Sequence, residues 1–107
     1  MSATERHAQS GVPLPTLSTA DATERARGFA AIAHPTRLRI LSIIMGTSGG
    51  QATIGQLADA LGVSQPTITH HVARMVDGGV AVRAPEGRQV WVSVAPERQS
   101  AVEDLLR

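Results

Sequence analysis

The chain has 107 residues, 42% of them hydrophobic and 18% charged, with ten basic against nine acidic side chains and a formal net charge of +1. That length fits one domain with a small core, burying about 60–65% of its unfolded surface, and the near balance of charge excludes a bulk polycation effect as the driver of nucleic-acid binding. Cysteine is absent, which excludes disulfides, thiolate metal sites and cysteine nucleophiles and makes the cytoplasm the expected compartment.

Residues 1–17, "MSATERHAQSGVPLPTL", mix polar residues with two prolines and show no periodicity; they read as a mobile N-terminal arm ahead of a domain over 18–107. No apolar segment follows a basic start and no apolar run approaches about 18 residues, so a soluble, unexported protein is expected. From Ser18 a first helix places Ala22, Ala26, Phe29, Ala30 and Ala33 on one face, a small-residue stripe suited to close packing. In "AHPTRLRILSIIMGTSGG", Pro35 sits where a helix can begin. Leu38, Leu41, Ile44 and Met45 then follow at helical spacing until the glycines at 46, 49 and 50 stop it.

A short strand is expected near Gln51-Ala52. Thr53 and Gln56 have capping-box spacing, and Ile54, Leu57, Ala58 and Leu61 give a third helix its apolar side before Gly62 turns the chain. Ser64 caps a fourth helix, with Pro66 in its first turn, where a missing N–H costs nothing; it runs to Gly78-Gly79. "VAVRA" and "RQVWVSV" flank "PEGR" as a β-hairpin with Gly87 in the loop, and "PERQSAVEDLLR" closes the chain as an amphipathic helix. The expected fold is therefore mainly α with a small β-hairpin, α-α-α-α-β-β-α: a winged helix-turn-helix.

At 100° per residue, Ile68, Val72, Met75 and Val76 share one side of the fourth helix, and His71 falls at its edge. The opposite arc carries Pro66, Thr67, His70, Ala73 and Arg74, with Ser64, Gln65 and Thr69 around its open N-terminal end. Short hydroxyls, an amide and a guanidinium are the chemistry that reads base edges and phosphates. The same residues also serve a plain helix cap and a solvated face. Arg83 and Arg88 flank the hairpin loop, within reach of phosphates or a minor groove if the hairpin acts as a wing.

Together "IAHPTRLRIL", "IGQLADALGVSQPTITHHV" and "GGVAVRAPEGRQVWVSV" resemble the ArsR/SmtB family of bacterial transcriptional regulators over Phe29 to Val94. Each motif alone is weak; the three in order are specific. The resemblance implies DNA binding through Ser64, Gln65, Thr67, Thr69, His70, Arg74, Arg83 and Arg88. It also implies a homodimer on palindromic operator double-stranded DNA, a repressor by default, with the first and last helices at the two-fold axis. Ala22, Ala26, Phe29 and Ala33, with Val102, Leu105 and Leu106, supply apolar stripes for that seam; the lesser alternative is that both stripes complete a monomer core.

Many members of that family leave DNA when a metal binds, and their usual ligands are missing here. There is no cysteine, and the closing helix has no histidine. A nickel or zinc input would have to draw on His7, Asp21 and Glu24, a set outside the family's known positions. His34, before Pro35, reads as structural. Nucleophile elbow, phosphate loop and His-Glu-x-x-His spacing are all absent, so no enzyme is expected. The alternative kept beside DNA regulation is a winged-helix module acting with a second regulatory protein.

Overall fold

The computed structural model describes residues 13–107. Most of the expected arm, His7 included, lies outside the described residues; residues 13–17 are exposed and carry no regular structure. Helix α1 (Thr19–Ile32) opens at Ser18, whose Oγ accepts from the Asp21 N–H at 3.0 Å. Helix α2 (Pro35–Gly46) is capped by His34, strand β1 spans Gln51–Thr53, and α3 spans Ile54–Leu61. The capping box of α3 forms reciprocally, Gln56 N–H to Thr53 Oγ1 at 3.0 Å and Thr53 N–H to Gln56 Oε1 at 2.9 Å, satisfying two donors that a helix start otherwise leaves open. Gly62 ends α3 in the left-handed region at φ 67°, which glycine enters without a Cβ penalty.

Helix α4 (Gln65–Asp77) leads into β2 (Ala81–Glu86) and β3 (Gln89–Val94). The hairpin turns through Gly87 at φ 62°, with no positive φ at Arg88, the pattern of a type II′ loop. The expected two-stranded hairpin is part of a three-stranded antiparallel sheet in the order β1-β3-β2, because Gln51, Ala52 and Thr53 pair with Ser93, Val92 and Trp91. Pro85 lies within β2, an edge strand, where a missing N–H breaks no ladder on the open side. The closing segment also differs from a single helix: Pro96–Arg98 form a 3-10 turn before helix α5 (Gln99–Leu106).

Ile40, Leu41 and Ile44 of α2, Leu57 of α3, Ile68, Val72 and Met75 of α4 and Val92 of β3 form the fully buried core. Each contributes about 1.5–3 kcal/mol relative to exposure. Leu38 and Met45, expected to point inward, are only half-buried, and Ile40 takes the central place. Helix α1 packs on the protomer by the side away from its alanine stripe. That stripe, with Phe29, is exposed, whereas Gly28 and Ala31, on roughly the opposite side at 100° per residue, are the buried positions. Ala31 lets α1 lie close to the end of α4: a Cβ placed on Gly78 would stand 2.3 Å from the Ala31 Cβ and 3.2 Å from the Arg27 carbonyl oxygen, whereas Gly28 faces the Arg98 guanidinium.

Candidate nucleic-acid interface

Helix α4 is held by its inner face and open on its outer one. Ile68, His71, Val72 and Met75 are buried, while Gln65, Pro66, Thr67, Thr69, His70 and Arg74 are exposed; Ala73, expected among them, is half-buried. Ser64 accepts from the Thr67 N–H at 3.2 Å, and the two hydroxyls lie 2.9 Å apart. Ser64 is therefore first of all the cap, and Thr67 keeps its methyl free for an apolar contact. The Gln65 amide lies over the start of α3, its Nε2 3.6 Å from where a Gly55 Cβ would stand. Open N–H groups and the positive end of the helix dipole meet at this end, with no acidic side chain in the first turn, so an anion is favoured there.

The wing stands beside it. Arg83 pairs in register with Val92, and Ala81 with Val94, so Arg83 shares the face of the sheet that lines the core, one step beyond its edge. Arg88 occupies the turn, and both guanidiniums are exposed. A polar helix face with Arg74, flanked by a ribbon carrying two arginines, has the parts needed to enter a major groove about 12 Å wide and clasp the adjoining phosphates.

His71 is more enclosed than a residue at the edge of the buried arc, with 8% relative exposure. Its Nδ1 accepts from Arg37 Nε at 3.2 Å, and its ring lies 4.6 Å from that of His34 and 5.9 Å from that of His70. Burial first, then the positive potential of His34, Arg37 and His70, holds its pKa below the ordinary imidazole value. His34 accepts the Thr36 N–H at 3.1 Å as the cap of α2, matching its structural reading. Sequence reasoning did not single out Arg37. The available signal was the pair of motifs, "HPTR" and "HH", but nothing local says that they meet.

Helices α1 and α5 border an open groove of about 670 Å³ lined by Phe29, Ile32, Val80, Val102 and Leu105 among others. Of the residues expected at a dimer seam, Ala22, Ala26, Phe29 and Ala33 are exposed, with Phe29 at 67% and Leu105 at 46%. Val102 departs from that expectation: at 3% exposure it belongs to the protomer's own core, and Leu106 is half-buried against that core. Of the candidate metal ligands, Glu24 instead pairs with Arg98 at 3.5 Å, and His7 lies outside the described residues. Among the described residues no three His, Asp or Glu side chains converge, and no helix is long and apolar enough to cross a membrane.

The family model described as a helix-turn-helix domain matches residues 32–83, from the end of α1 to the wing. The HTH-type transcriptional regulator YgaV of Escherichia coli (strain K12) is 31% identical over 83 residues, which are 78% of this chain and 82% of that protein. A probable mercury resistance operon repressor of Streptomyces lividans is 33% identical over 82 residues, 77% of this chain but only 63% of the repressor's own length. In fold, the chain is similar to the homodimeric winged helix-turn-helix DNA-binding domain of a possible ArsR-family regulator from Mycobacterium bovis. That likeness has a TM-score of 0.65 at 24% identity and covers 87% of this chain and 83% of the other.

Proposed function

This chain belongs to the ArsR/SmtB family of winged helix-turn-helix DNA-binding transcriptional regulators, and we propose that it acts as a homodimeric repressor in the cytoplasm, with α4 and the wing of each protomer on one half of a palindromic operator. The observation that carries this reading is the division of α4 into a buried face and an exposed polar face, Thr67, Thr69, His70 and Arg74, beside the two wing arginines. Phosphate contacts come from Arg74, Arg83 and Arg88, and base edges are read by Gln65, Thr67 and His70. Ser64 serves mainly to hold the helix start.

The dimer is supported by the exposed stripe of α1. Phe29 and Leu105 leave an apolar surface beside an open groove, and a 95-residue fold this thin in core gains from covering it. For both α4 helices to read one palindromic operator, the two-fold axis has to set them one helical turn of DNA apart, about 34–36 Å.

The test is a fluorescence anisotropy titration of a labelled duplex from upstream of the gene, at two salt concentrations. Tight binding whose logarithm falls linearly with that of salt, by about 0.9 for each phosphate neutralised, supports the reading. Binding that appears only after a second regulatory protein is added supports a partner-dependent module instead. The same titration with nickel or zinc tests a metal input drawn from His7, Asp21 and Glu24; a thiolate input has no ligand in a chain without cysteine.

A further inference from the structure

One guanidinium joins three helices. Arg37, in the first turn of α2, donates from Nε to His71 Nδ1 in the middle of α4 at 3.2 Å and from Nη1 to the Ala31 carbonyl oxygen at 3.3 Å. Ala31 lies in the last turn of α1, where carbonyls have no partner within the helix. His71 is buried, while its neighbour His70 is exposed on the face assigned to DNA. A contact that fixes His71 therefore fixes the rotation of the reading face about the axis of α4.

We propose that Arg37 is a positioning residue for DNA reading, holding α4 at its working rotation through the unprotonated Nδ1 of His71 and tying that helix to the carbonyl end of α1. The inference rests on α4 being the DNA-reading helix. An imidazole nitrogen accepts only while it carries no proton, so His71 has to be neutral with its hydrogen on Nε2. Protonation turns Nδ1 into a second donor facing the Arg37 donor, and the contact is lost.

The groups around His71 all resist that protonation. They are Arg37 from α2, His34 from the junction of α1 and α2, and His70 from α4 itself; α1, α3 and β2, also packed on α4, bring no charge to bear on it. Acidification thus removes the Arg37 contact and, with it, the alignment of the reading face.

The experiment uses the full chain and a duplex that it enriches from a random-sequence pool. In ¹⁵N-imidazole spectra of the wild type at about pH 8, His71 shows an unprotonated, hydrogen-bonded Nδ1 and a protonated Nε2. R37Q keeps its helical circular dichroism and binds the duplex about tenfold more weakly. On acidification towards about pH 5 the wild-type affinity falls along the His71 titration curve. In R37Q that component is missing. R37K, able to reach one acceptor at a time, falls between the two and stands in should R37Q not fold.

A proton on Nδ1 of His71 near pH 8 overturns the proposal, as does an R37Q affinity within about twofold of wild type with an unchanged pH curve. Should Thr67→Ala and His70→Ala leave binding untouched, α4 is not the reader and the functional inference falls with it, whereas the His71 spectra still report whether the Arg37 contact exists.

Discussion

Replacing Gly78 by alanine isolates the contact on which the placement of α1 depends. The new Cβ would lie 2.3 Å from the Ala31 Cβ and 3.2 Å from the Arg27 carbonyl oxygen, and two methyl-sized carbons do not approach within about 3.5 Å without repulsion. Backbone strain does not enter, since Gly78 sits at φ −82°, ψ 2°, which alanine also adopts. Two effects therefore oppose each other. Restricting the unfolded chain stabilises by about 0.4–1 kcal/mol, and overpacking destabilises by about 1–3 kcal/mol. The second wins because one obstacle is backbone and the other a Cβ fixed to it, neither of which can swing aside. The expected net loss is about 1–2 kcal/mol, or roughly 5–10 °C in Tm for a domain of this size.

Thermal and urea melts at one fixed protomer concentration measure that loss, and Gly78→Ala combined with Ala31→Gly completes the cycle. Ala31→Gly alone costs about 1 kcal/mol of helix propensity. Because it also removes the clashing carbon, the double variant should lose less than the sum of the two singles, by about 1 kcal/mol. A Tm of Gly78→Ala equal to or above wild type, or strict additivity in the cycle, would refute the close approach of α1 to α4.

Ser64→Ala removes the N-cap of α4 and should cost about 0.5–2 kcal/mol in urea melts while weakening operator binding, with circular dichroism otherwise unchanged. Arg74→Ala or Arg88→Ala should weaken binding to all duplexes alike and reduce the salt slope by about 1, whereas His70→Ala should change which sequences are preferred; selection from a random pool distinguishes the two behaviours. Phe29→Glu should leave a folded protomer by circular dichroism but halve the mass seen by sedimentation equilibrium, since the side chain is 67% exposed within one chain. Stability should also fall on acidification. His71 titrates below the ordinary value of 6.5 when folded, so the unfolded chain takes the proton first and stability declines from about pH 6.5 downwards until folded His71 titrates too. Urea melts of His71→Asn should lack that component.

Local chemistry was legible in the sequence. Ser64 and Thr67, or Thr53 and Gln56, lie three residues apart and make their capping bonds within one turn, so spacing alone identifies them. The polar arc of α4 was legible for the same reason, as helical periodicity separates Ile68, Val72 and Met75 from Thr67, His70 and Arg74. The packing side of α1 was not. Its apolar stripe is the more conspicuous pattern, yet the buried positions are Gly28, against the Arg98 guanidinium, and Ala31, against Gly78, where small size counts for more than hydrophobicity. Val102 was misassigned to the seam because a stripe of valine and leucine does not reveal which of its members faces inward. The Arg37–His71 bond spans 34 residues of sequence and depends on how α2 crosses α4, which no local pattern encodes.

The wing has to remain an uncovered strand edge if it is to lie along a nucleic-acid backbone, and such an edge is also a template for another chain's strand, the first step of aggregation. Pro85 interrupts the row of donors along β2, and the opposite edge of the sheet, β1, is three residues long. Neither rim offers a long, regular ladder to a stray strand. The proline in "APEGR" thus guards the protein's solubility at the place where its architecture must stay open, and replacing it with a β-branched residue would extend the ladder available to a neighbouring molecule at high concentration.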